Sequence, residues 1–253
     1  VDAFTDQLFS GNPAAVIFSE INDQQLMQNI ASENNLSETA FIRKQNNTYH
    51  IRWFAPLCEI DLCGHATLAS AFIFFKYIDP NSNIFEVQSL KNGILTVTKN
   101  GDLLTLNFPK DLLKKYDDFN SIENIINDNP VEIFKGRDDL LVILESEDQI
   151  KNLNINFALL NQIKSRGLIV SAKGSDCDFV SRFFAPSAGV NEDPVTGSAH
   201  TSLIPYWSKK LKKTKLLAKQ ISSRGGVLFC EEKNDRVLIG GKAVEYLKGK
   251  INL

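Results

Sequence analysis

Two short phrases of this chain repeat each other and carry side chains that could exchange protons. Residues 59–71 read EIDLCGHATLASA, and residues 192–204 read EDPVTGSAHTSLI. His65 follows the glycine of the first phrase, whereas Ser198 follows the glycine of the second. Asp193 lies four residues before that second glycine, Gly197. Imidazole and carboxylate groups are the usual carriers of general acid/base catalysis. The unequal pair indicates a site that handles a proton differently from its two sides.

Each phrase also places a glycine, Gly64 or Gly197, directly before an expected helix. Glycine lets a ligand approach the backbone, and the first N–H groups of a helix have no partner inside it. Because the helix dipole adds to these donors, each phrase is a candidate carboxylate site. Neither phrase has the lysine or the longer glycine-rich loop of a phosphate-binding P-loop. A helix start also favours a neutral imidazole at His65.

Glu38 is a third candidate for proton transfer, at the mouth of an apolar strand. An ordinary surface glutamate at a strand start is an equally good interpretation of the sequence. In an enclosed apolar cleft its pKa would rise, and the side chain could then carry a proton near neutral pH. His50, in a strand, and His200, beyond Ser198, have no such companions and are expected to be structural.

Cys58, Cys63 and His65 lie close together in the sequence, as metal ligands often do. Their spacing matches no zinc pattern, and a fourth ligand would have to come from far along the chain. We therefore expect no metal. With four cysteines in 253 residues, free thiols in a reducing cytoplasm are the default expectation.

The composition is that of an ordinary globular protein. A formal net charge of -2 gives no reason to expect a nucleic acid or a membrane as partner. The basic run over residues 209–215 predicts the solvated end of a helix. No apolar run approaches the ~18 residues that span a bilayer, and no signal peptide opens the chain. Because the first residue is Val1 rather than Met, we expect a short segment to precede it.

Apolar periodicity and turn signals predict alternating strands and helices. Strands are expected at residues 14–18, 39–43, 49–54, 131–134, 140–144, 168–171, 178–185, 227–229, 236–239 and 242–246. Three further short strands of hairpin type are expected around the turns at residues 79–80, 91–93 and 100–101. Expected helices cover residues 23–34, 66–77, a part of the polar connection 111–129, 155–163 and a segment after Gly197. The helix over 66–77 has no polar face and should be buried on nearly all sides.

The same order of elements in both halves favours a gene duplication. Each phrase is entered through an Arg-aromatic-Phe-Ala-Pro segment, at residues 52–56 and 182–186. We expect two pseudo-symmetric domains. The first covers residues 1–112, with the strand near 242–253 as a candidate to complete it, and the second covers residues 113–241.

Several segments together resemble the phenazine-biosynthesis F (PhzF-like) family, whose wider kin are diaminopimelate epimerase and proline racemase. They are VDAFTDQLFSGNPAAVIF, NNLSETAFI, WFAPLCEIDLCGHATLASAF, FFAPSAGVNEDPVTGSAHTSL and GGKAVEYLKGKI, and they are spread over almost the whole chain. The resemblance implies an α/β (α+β) fold of two domains, each a mostly antiparallel sheet wrapped round a central helix, with the active site in the cleft between them.

The resemblance also implies an activity. The best-understood member isomerises trans-2,3-dihydro-3-hydroxyanthranilate with neither metal nor organic cofactor, so we expect a proton-moving isomerase of a small carboxylated substrate. Homodimers are common among relatives, so a homodimer is possible here, and the sequence leaves the oligomeric state open. Glu38 matches the family's general acid/base. The supporting polar residues are matched by His65, Asp193 and Ser198, and the substrate-holding positions by Asn12, Ser37, Gly64 and Gly197.

Two departures from the wider group bear on the mechanism. Its epimerases and racemases use a cysteine before each glycine, whereas this chain has Cys63 in the first place and Thr196 in the second. One of the two thiol bases is therefore missing, and a carboxylate mechanism fits better. Residues 223–227 follow the family pattern only loosely, which puts substrate contacts from that loop in doubt.

Two other hypotheses stay open at the level of sequence. The chain could be a non-catalytic protein that binds a metabolite or a partner on the same fold, or an epimerase that uses Cys63 alone. Glu38, His65, Asp193 and Ser198 occur together, which favours an enzyme, because a scaffold would not need all four.

Overall fold

The structure is a computed structural model that describes the backbone of residues 1–253 and the side chains of residues 1–187 and 189–253. The chain divides into two compact units. Unit 1 consists of residues 1–107 and 240–253, and unit 2 of residues 108–239. Within the described residues, no helix is long and apolar enough to cross a membrane.

Eighteen strands, several of them only two residues long, carry most of the regular structure. They are β1 (Asp2–Ala3), β2 (Asn12–Phe18), β3 (Glu38–Gln45), β4 (Thr48–Phe54), β5 (Glu59–Ile60), β6 (Ile84–Ser89), β7 (Gly93–Asn100), β8 (Leu103–Pro109), β9 (Lys114–Lys115), β10 (Glu132–Lys135), β11 (Asp139–Ile143), β12 (Gly167–Lys173), β13 (Phe179–Ala185), β14 (Val190–Asp193), β15 (Lys215–Gln220), β16 (Gly226–Lys233), β17 (Arg236–Gly241) and β18 (Ala243–Val244).

Six α-helices and two short helical turns complete the fold. The helices are α1 (Gln24–Asn34), α2 (Gly64–Ile73), α3 (Phe119–Ile126), α4 (Glu147–Lys151), α5 (Phe157–Leu160) and α6 (His200–Leu211). A π-helical turn, Phe74–Ile78, continues α2, and a 3-10 turn, Pro186–Ala188, follows β13.

Strands of the two units pair in the same sequence of directions. In unit 1, β2 pairs parallel with β3, β3 antiparallel with β4, and β4 with both β5 (antiparallel) and β6 (parallel). In unit 2, β11, β12, β13, β14 and β15 repeat these pairings in the same order. An antiparallel partner then follows each time, β7 beside β6 and β16 beside β15. The strand pairing within each unit is mostly antiparallel, and the expected pseudo-symmetric α/β fold is confirmed.

The repeated entry segments make the same side-chain contacts in both units. In each, an arginine holds a glutamate of the following strand with two hydrogen bonds and lies over a phenylalanine ring. These residues are Arg52, Glu59 and Phe54 in unit 1, and Arg182, Glu192 and Phe184 in unit 2. The guanidinium carbon is 5.1 Å from the ring centroid in the first case and 5.0 Å in the second. The sequence repeat is thus a structural repeat.

Helix α2 is buried along most of its length, as its apolar sequence predicts. All residues from Gly64 to Ala71 are buried. Its two interior hydroxyl groups are satisfied within the helix, since Thr67 donates to the carbonyl of Cys63 and Ser70 to that of Ala66. Such local bonds let a polar side chain enter an apolar core without an unpaired group. The helix contacts β1, β2, β3 and β7 of the sheet around it.

Several boundaries differ from the sequence prediction. The helix predicted over 155–163 is only α5, because Asn156 caps its start and Asn161 ends it. The strand predicted over 242–246 is limited to β18. Helix α4 and strand β15 were not predicted. The alternating burial of β15 was not recognised because its lysines look like a continuation of the basic run. The start of that run, Lys209 and Lys210, lies in the last turn of α6, as predicted.

Candidate active site

Glu38 and His65 meet in unit 1. Glu38 begins β3, opposite Ala14 of the parallel strand β2, and His65 is the second residue of α2. The imidazole Nε2 lies 3.1 Å from Oε2 of Glu38, and the two side chains are 5% and 18% exposed. Among the described residues neither of these two buried atoms has a hydrogen bond of good geometry, and their mutual contact is not one either. The close contact is therefore the main interaction of both.

The opposite edge of the imidazole faces Asn12 and Cys63. The Asn12 amide nitrogen, at the start of β2, lies 3.1 Å from Nδ1, and the Cys63 sulfur lies 3.5 Å from the same atom. When the amide donates to Nδ1, a neutral ring must carry its proton on Nε2. That proton faces the Glu38 carboxylate. Asn12 thus orients the ring so that one edge serves Glu38.

The groups around His65 act against the expectation of a neutral ring. Burial lowers the pKa of His65, but the neighbouring Cys63 and Glu38 outweigh burial and raise this pKa well above its usual value. Burial raises the pKa of the Cys63 thiol, and the charge of Glu38 raises it further. Cys63 is therefore an uncharged thiol at neutral pH.

The same residues could be considered as metal ligands. Donor atoms of Glu38, Cys63 and His65 lie within 4.8 Å of one another, whereas Cys58 is exposed and lies outside this group. However, the sulfur and the carboxylate face opposite nitrogens of one imidazole ring. A tetrahedral ion could not bind all three side chains unless that ring turned. The arrangement suits transfer of a proton better than coordination of a metal.

Ser37 and Gly64 flank this cluster in the chain, next to Glu38 and His65 respectively. Gly64 is the first residue of α2, after the N-cap residue Cys63, as the sequence predicts. Gly197 differs in this respect. Residues 197–199 form a turn, and α6 begins only at His200, which donates its N–H to the carbonyl of Gly197. The second glycine therefore lies one turn before its helix.

In unit 2, Asp193 belongs to a hydrogen-bonded cluster at the end of β14. The Thr196 hydroxyl donates to Oδ2 of Asp193. Gln220, at the end of β15, accepts a hydrogen bond from the Thr196 N–H at 2.8 Å and donates to the Asp193 carbonyl at 2.7 Å. Gln220 was not identified from the sequence, because the strand that carries it was not predicted. This network fixes the backbone that leads to Ser198.

Ser198 contacts an arginine that sequence reasoning also missed. Nη2 of Arg166 donates to the Ser198 hydroxyl oxygen at 3.1 Å and also pairs with Asp139, whose side chain is 5% exposed. Burial raises the pKa of Asp139, an effect that Arg166 opposes. Parallel pairing of the predicted strands near 140 and 168 would have placed Asp139 beside Gly167. That register is the signal from which the contact could have been found.

His200 and His50 lie apart from these contacts. His200 is fully buried, and its Nδ1 lies 2.9 Å from the carbonyl of Thr196. Burial lowers the pKa of His200 to about 4, so the ring is neutral at physiological pH. His50 lies in β4 opposite Arg43. Both positions agree with the structural roles expected for them.

Comparisons with known proteins identify the relatives of this fold. The family model described as "Phenazine biosynthesis-like protein" matches residues 1–249. An uncharacterized isomerase of Pseudomonas aeruginosa is 46% identical over 100% of this chain and 97% of its own length. A PhzF-family crystal structure from Enterococcus faecalis has a TM-score of 0.96 and 45% identity, and covers 100% of this chain and 97% of its own.

A more distant likeness extends to the racemases. A probable proline racemase from Agrobacterium radiobacter has a TM-score of 0.63 at 8% identity, covering 96% of this chain and 90% of its own, and shares the fold alone. The fold and these relatives define the class of the protein, which is an isomerase. The chain belongs to the phenazine biosynthesis-like (PhzF-like) family.

Proposed function

We propose that this protein is a cofactor-independent isomerase in which Glu38 moves a proton between two atoms of a small carboxylated substrate. Cyclic carboxylates are among the substrates that this proposal includes. The observation that carries the proposal is the Glu38–His65 contact. Nε2 of the buried His65 ring lies 3.1 Å from Oε2 of Glu38, and no hydrogen bond or ion pair to Oε1 occurs among the described residues. A carboxylate beside an imidazole, with an oxygen that no described group occupies, suits a general base.

The reaction needs only one proton and no electron acceptor. Oε1 of the Glu38 carboxylate takes a proton from a substrate carbon, and the C–H bonding electrons enter the adjacent conjugated system. The resulting carboxylic acid returns the proton to another carbon, and the electrons of the conjugated system form the new C–H bond. Glu38 is then a carboxylate again. His65 stays beside Oε2 of Glu38 throughout this cycle and positions the carboxyl group.

Four further polar residues take part in the proposed site. Asn12 and His65 position Glu38, while Asp193 and Ser198 hold the polar groups of the substrate. The proposal is supported by the family resemblance in both phrases and by the geometry around Glu38. An epimerase that uses Cys63 alone is less well supported, because burial raises the pKa of that thiol and so disfavours the thiolate that would act as base.

Proton exchange in heavy water tests the proposal. Wild type, Glu38→Gln and Glu33→Gln would be incubated with trans-2,3-dihydro-3-hydroxyanthranilate and a panel of small cyclic and amino carboxylates, and deuterium would be followed by NMR. Glu33→Gln is the matched control, since Glu33 is exposed near the end of α1.

We expect deuterium to enter at least one compound with wild type and with Glu33→Gln. With Glu38→Gln the rate should fall by ~10²–10⁴-fold, the usual contribution of one general acid/base. Exchange that survives at the wild-type rate in Glu38→Gln would exclude Glu38 as the base. Ligand binding without exchange in any protein would favour the non-catalytic binding hypothesis.

A further inference from the structure

Arg166 has a guanidinium whose hydrogen bonds are only partly used within the protein. Its Nε donates to Oδ1 of Asp139 at 2.9 Å, and Nη2 contacts Oδ2 of the same carboxylate. Nη2 also donates to Ser198. Nη1, with two N–H groups, has no hydrogen-bond partner among the described residues. Since the side chain is 40% exposed, a ligand can reach those donors.

Asp139 holds this guanidinium in a fixed orientation. Its carboxylate is buried and binds the Nε–Nη2 edge with two hydrogen bonds, a geometry that also fixes the plane of the arginine. The guanidinium carbon lies over the Phe183 ring, 5.7 Å from its centroid, so the ring packs against the guanidinium. The unused Nη1 edge is therefore preorganised, and little side-chain entropy would be lost when a ligand binds.

Ser198 adds a second donor beside Nη1. Its hydroxyl oxygen accepts from Arg166, so its own proton is left for another acceptor. No other side-chain hydrogen bond of Ser198 occurs among the described residues. Two donors next to each other, one of them cationic, match the two oxygens of a carboxylate.

We propose that Arg166, together with Ser198, binds the carboxylate of the substrate. The inference rests on the proposed function, because it makes Ser198 part of the substrate site. Arg166 is then a specificity-determining residue, and Asp139 is a positioning residue that acts through it. Asp138 and Asp193 carry negative charges near the guanidinium, and these would repel a dianion more than a monoanion. The site therefore prefers a monocarboxylate to a phosphate.

Arg182 provides a matched control within the same unit. It too pairs with a carboxylate, that of Glu192, and lies over a phenylalanine ring. Its Nη1, however, already donates to the carbonyl groups of Ile150 and Leu153, and its side chain is only 16% exposed. Arg182 is thus an arginine of the same chemistry without a free edge.

Isothermal titration with benzoate, benzamide and inorganic phosphate tests the proposal. Benzamide has the shape of benzoate but lacks its charge. We expect wild type to bind benzoate at least ~10-fold more tightly than benzamide or phosphate. Arg166→Gln should lose this preference through a ~10–100-fold weaker affinity for benzoate, the usual effect of removing a charged hydrogen-bond partner. Arg182→Gln should keep the preference, whatever its effect on thermal stability.

Asp139→Asn separates positioning from direct contact. Its benzoate affinity should lie between those of wild type and Arg166→Gln, and the double variant should bind no more weakly than Arg166→Gln alone. A wild type that does not distinguish benzoate from benzamide would overturn the proposal. So would an equal loss in Arg166→Gln and Arg182→Gln.

The heavy-water experiment distinguishes this proposal from the proposed function. If exchange depends on Glu38 while Arg166→Gln binds benzoate like wild type, the role of Arg166 is refuted and the isomerase remains. If benzoate binding depends on Arg166 but no compound exchanges deuterium, the anion site remains and the isomerase is refuted.

Discussion

Replacement of Gly11 by alanine should destabilise unit 1 strongly, because a Cβ at this position would clash with the backbone carbonyl of Ala3. Gly11 has a φ of +67°, and a Cβ built on it would lie 2.2 Å from the carbonyl oxygen of Ala3 and 2.6 Å from Cγ2 of Thr5. Gly101, in the same unit, has a similar φ of +59°, but no described atom lies within 4 Å of its Cβ position. The two glycines share a left-handed φ but differ in burial and in steric surroundings.

This difference allows the cost to be divided into two parts. A left-handed φ costs an L-residue about 1–2 kcal/mol, so Gly101→Ala should lower the free energy of unfolding by about that amount. At Gly11 the same cost applies, and a clash with a carbonyl of β1 adds to it. Overpacking typically costs about 1–3 kcal/mol, which gives a total of about 2–5 kcal/mol for Gly11→Ala.

Urea unfolding of both variants in a Trp207→Phe background would measure these energies. Trp53, which is 2% exposed in unit 1, is then the single tryptophan of the chain and reports on that unit. Gly11 also precedes Asn12, which orients His65, so deuterium exchange in folded Gly11→Ala should fall below that of Gly101→Ala. Equal losses of stability in the two variants would refute the steric argument.

Two further predictions concern buried titratable side chains. Burial lowers the pKa of His200 to about 4. Between about pH 6.5 and pH 4 the unfolded chain therefore takes up a proton that the folded chain does not. As the pH is lowered through this range, the free energy of unfolding decreases by up to about 3 kcal/mol. Urea unfolding at pH 7 and pH 4.5 should show a smaller fall for His200→Gln than for wild type, and identical falls would contradict this assignment. Cys63→Ser should keep deuterium exchange within ~10-fold of wild type, because Glu38 supplies the base. A loss as large as that of Glu38→Gln would instead support an epimerase that depends on Cys63.

Much of the fold could be predicted because its signals are local. The duplicated Arg-aromatic-Phe-Ala-Pro segments predicted two similar halves, and the apolar run after Gly64 predicted the buried helix α2. The strands with clear apolar patterns were also found near their predicted positions. In each case the residues that determine the element are neighbours in the sequence.

The elements that were missed depend on non-local burial. Strand β15 is recognisable by the alternation of buried Leu216, Ala218 and Gln220, but Lys215 and Lys219 make the segment look like part of the solvated basic run. Gln220 in particular is a polar residue that is buried because Asp193 and Thr196 satisfy its hydrogen bonds. No local pattern indicates such a pairing across 24 residues of chain.

The family, the repeat and the candidate residues Glu38, His65, Asp193 and Ser198 could be predicted from residue types and their order. Their contacts and electrostatic surroundings depend on the tertiary structure. The pKa of His65 is raised because Cys63 lies beside its Nδ1 and β3 brings the Glu38 carboxylate to its Nε2, and Arg166 reaches Ser198 because parallel strands place Asp139 beside it. Electrostatic energies depend on distance and burial, and the fold sets both.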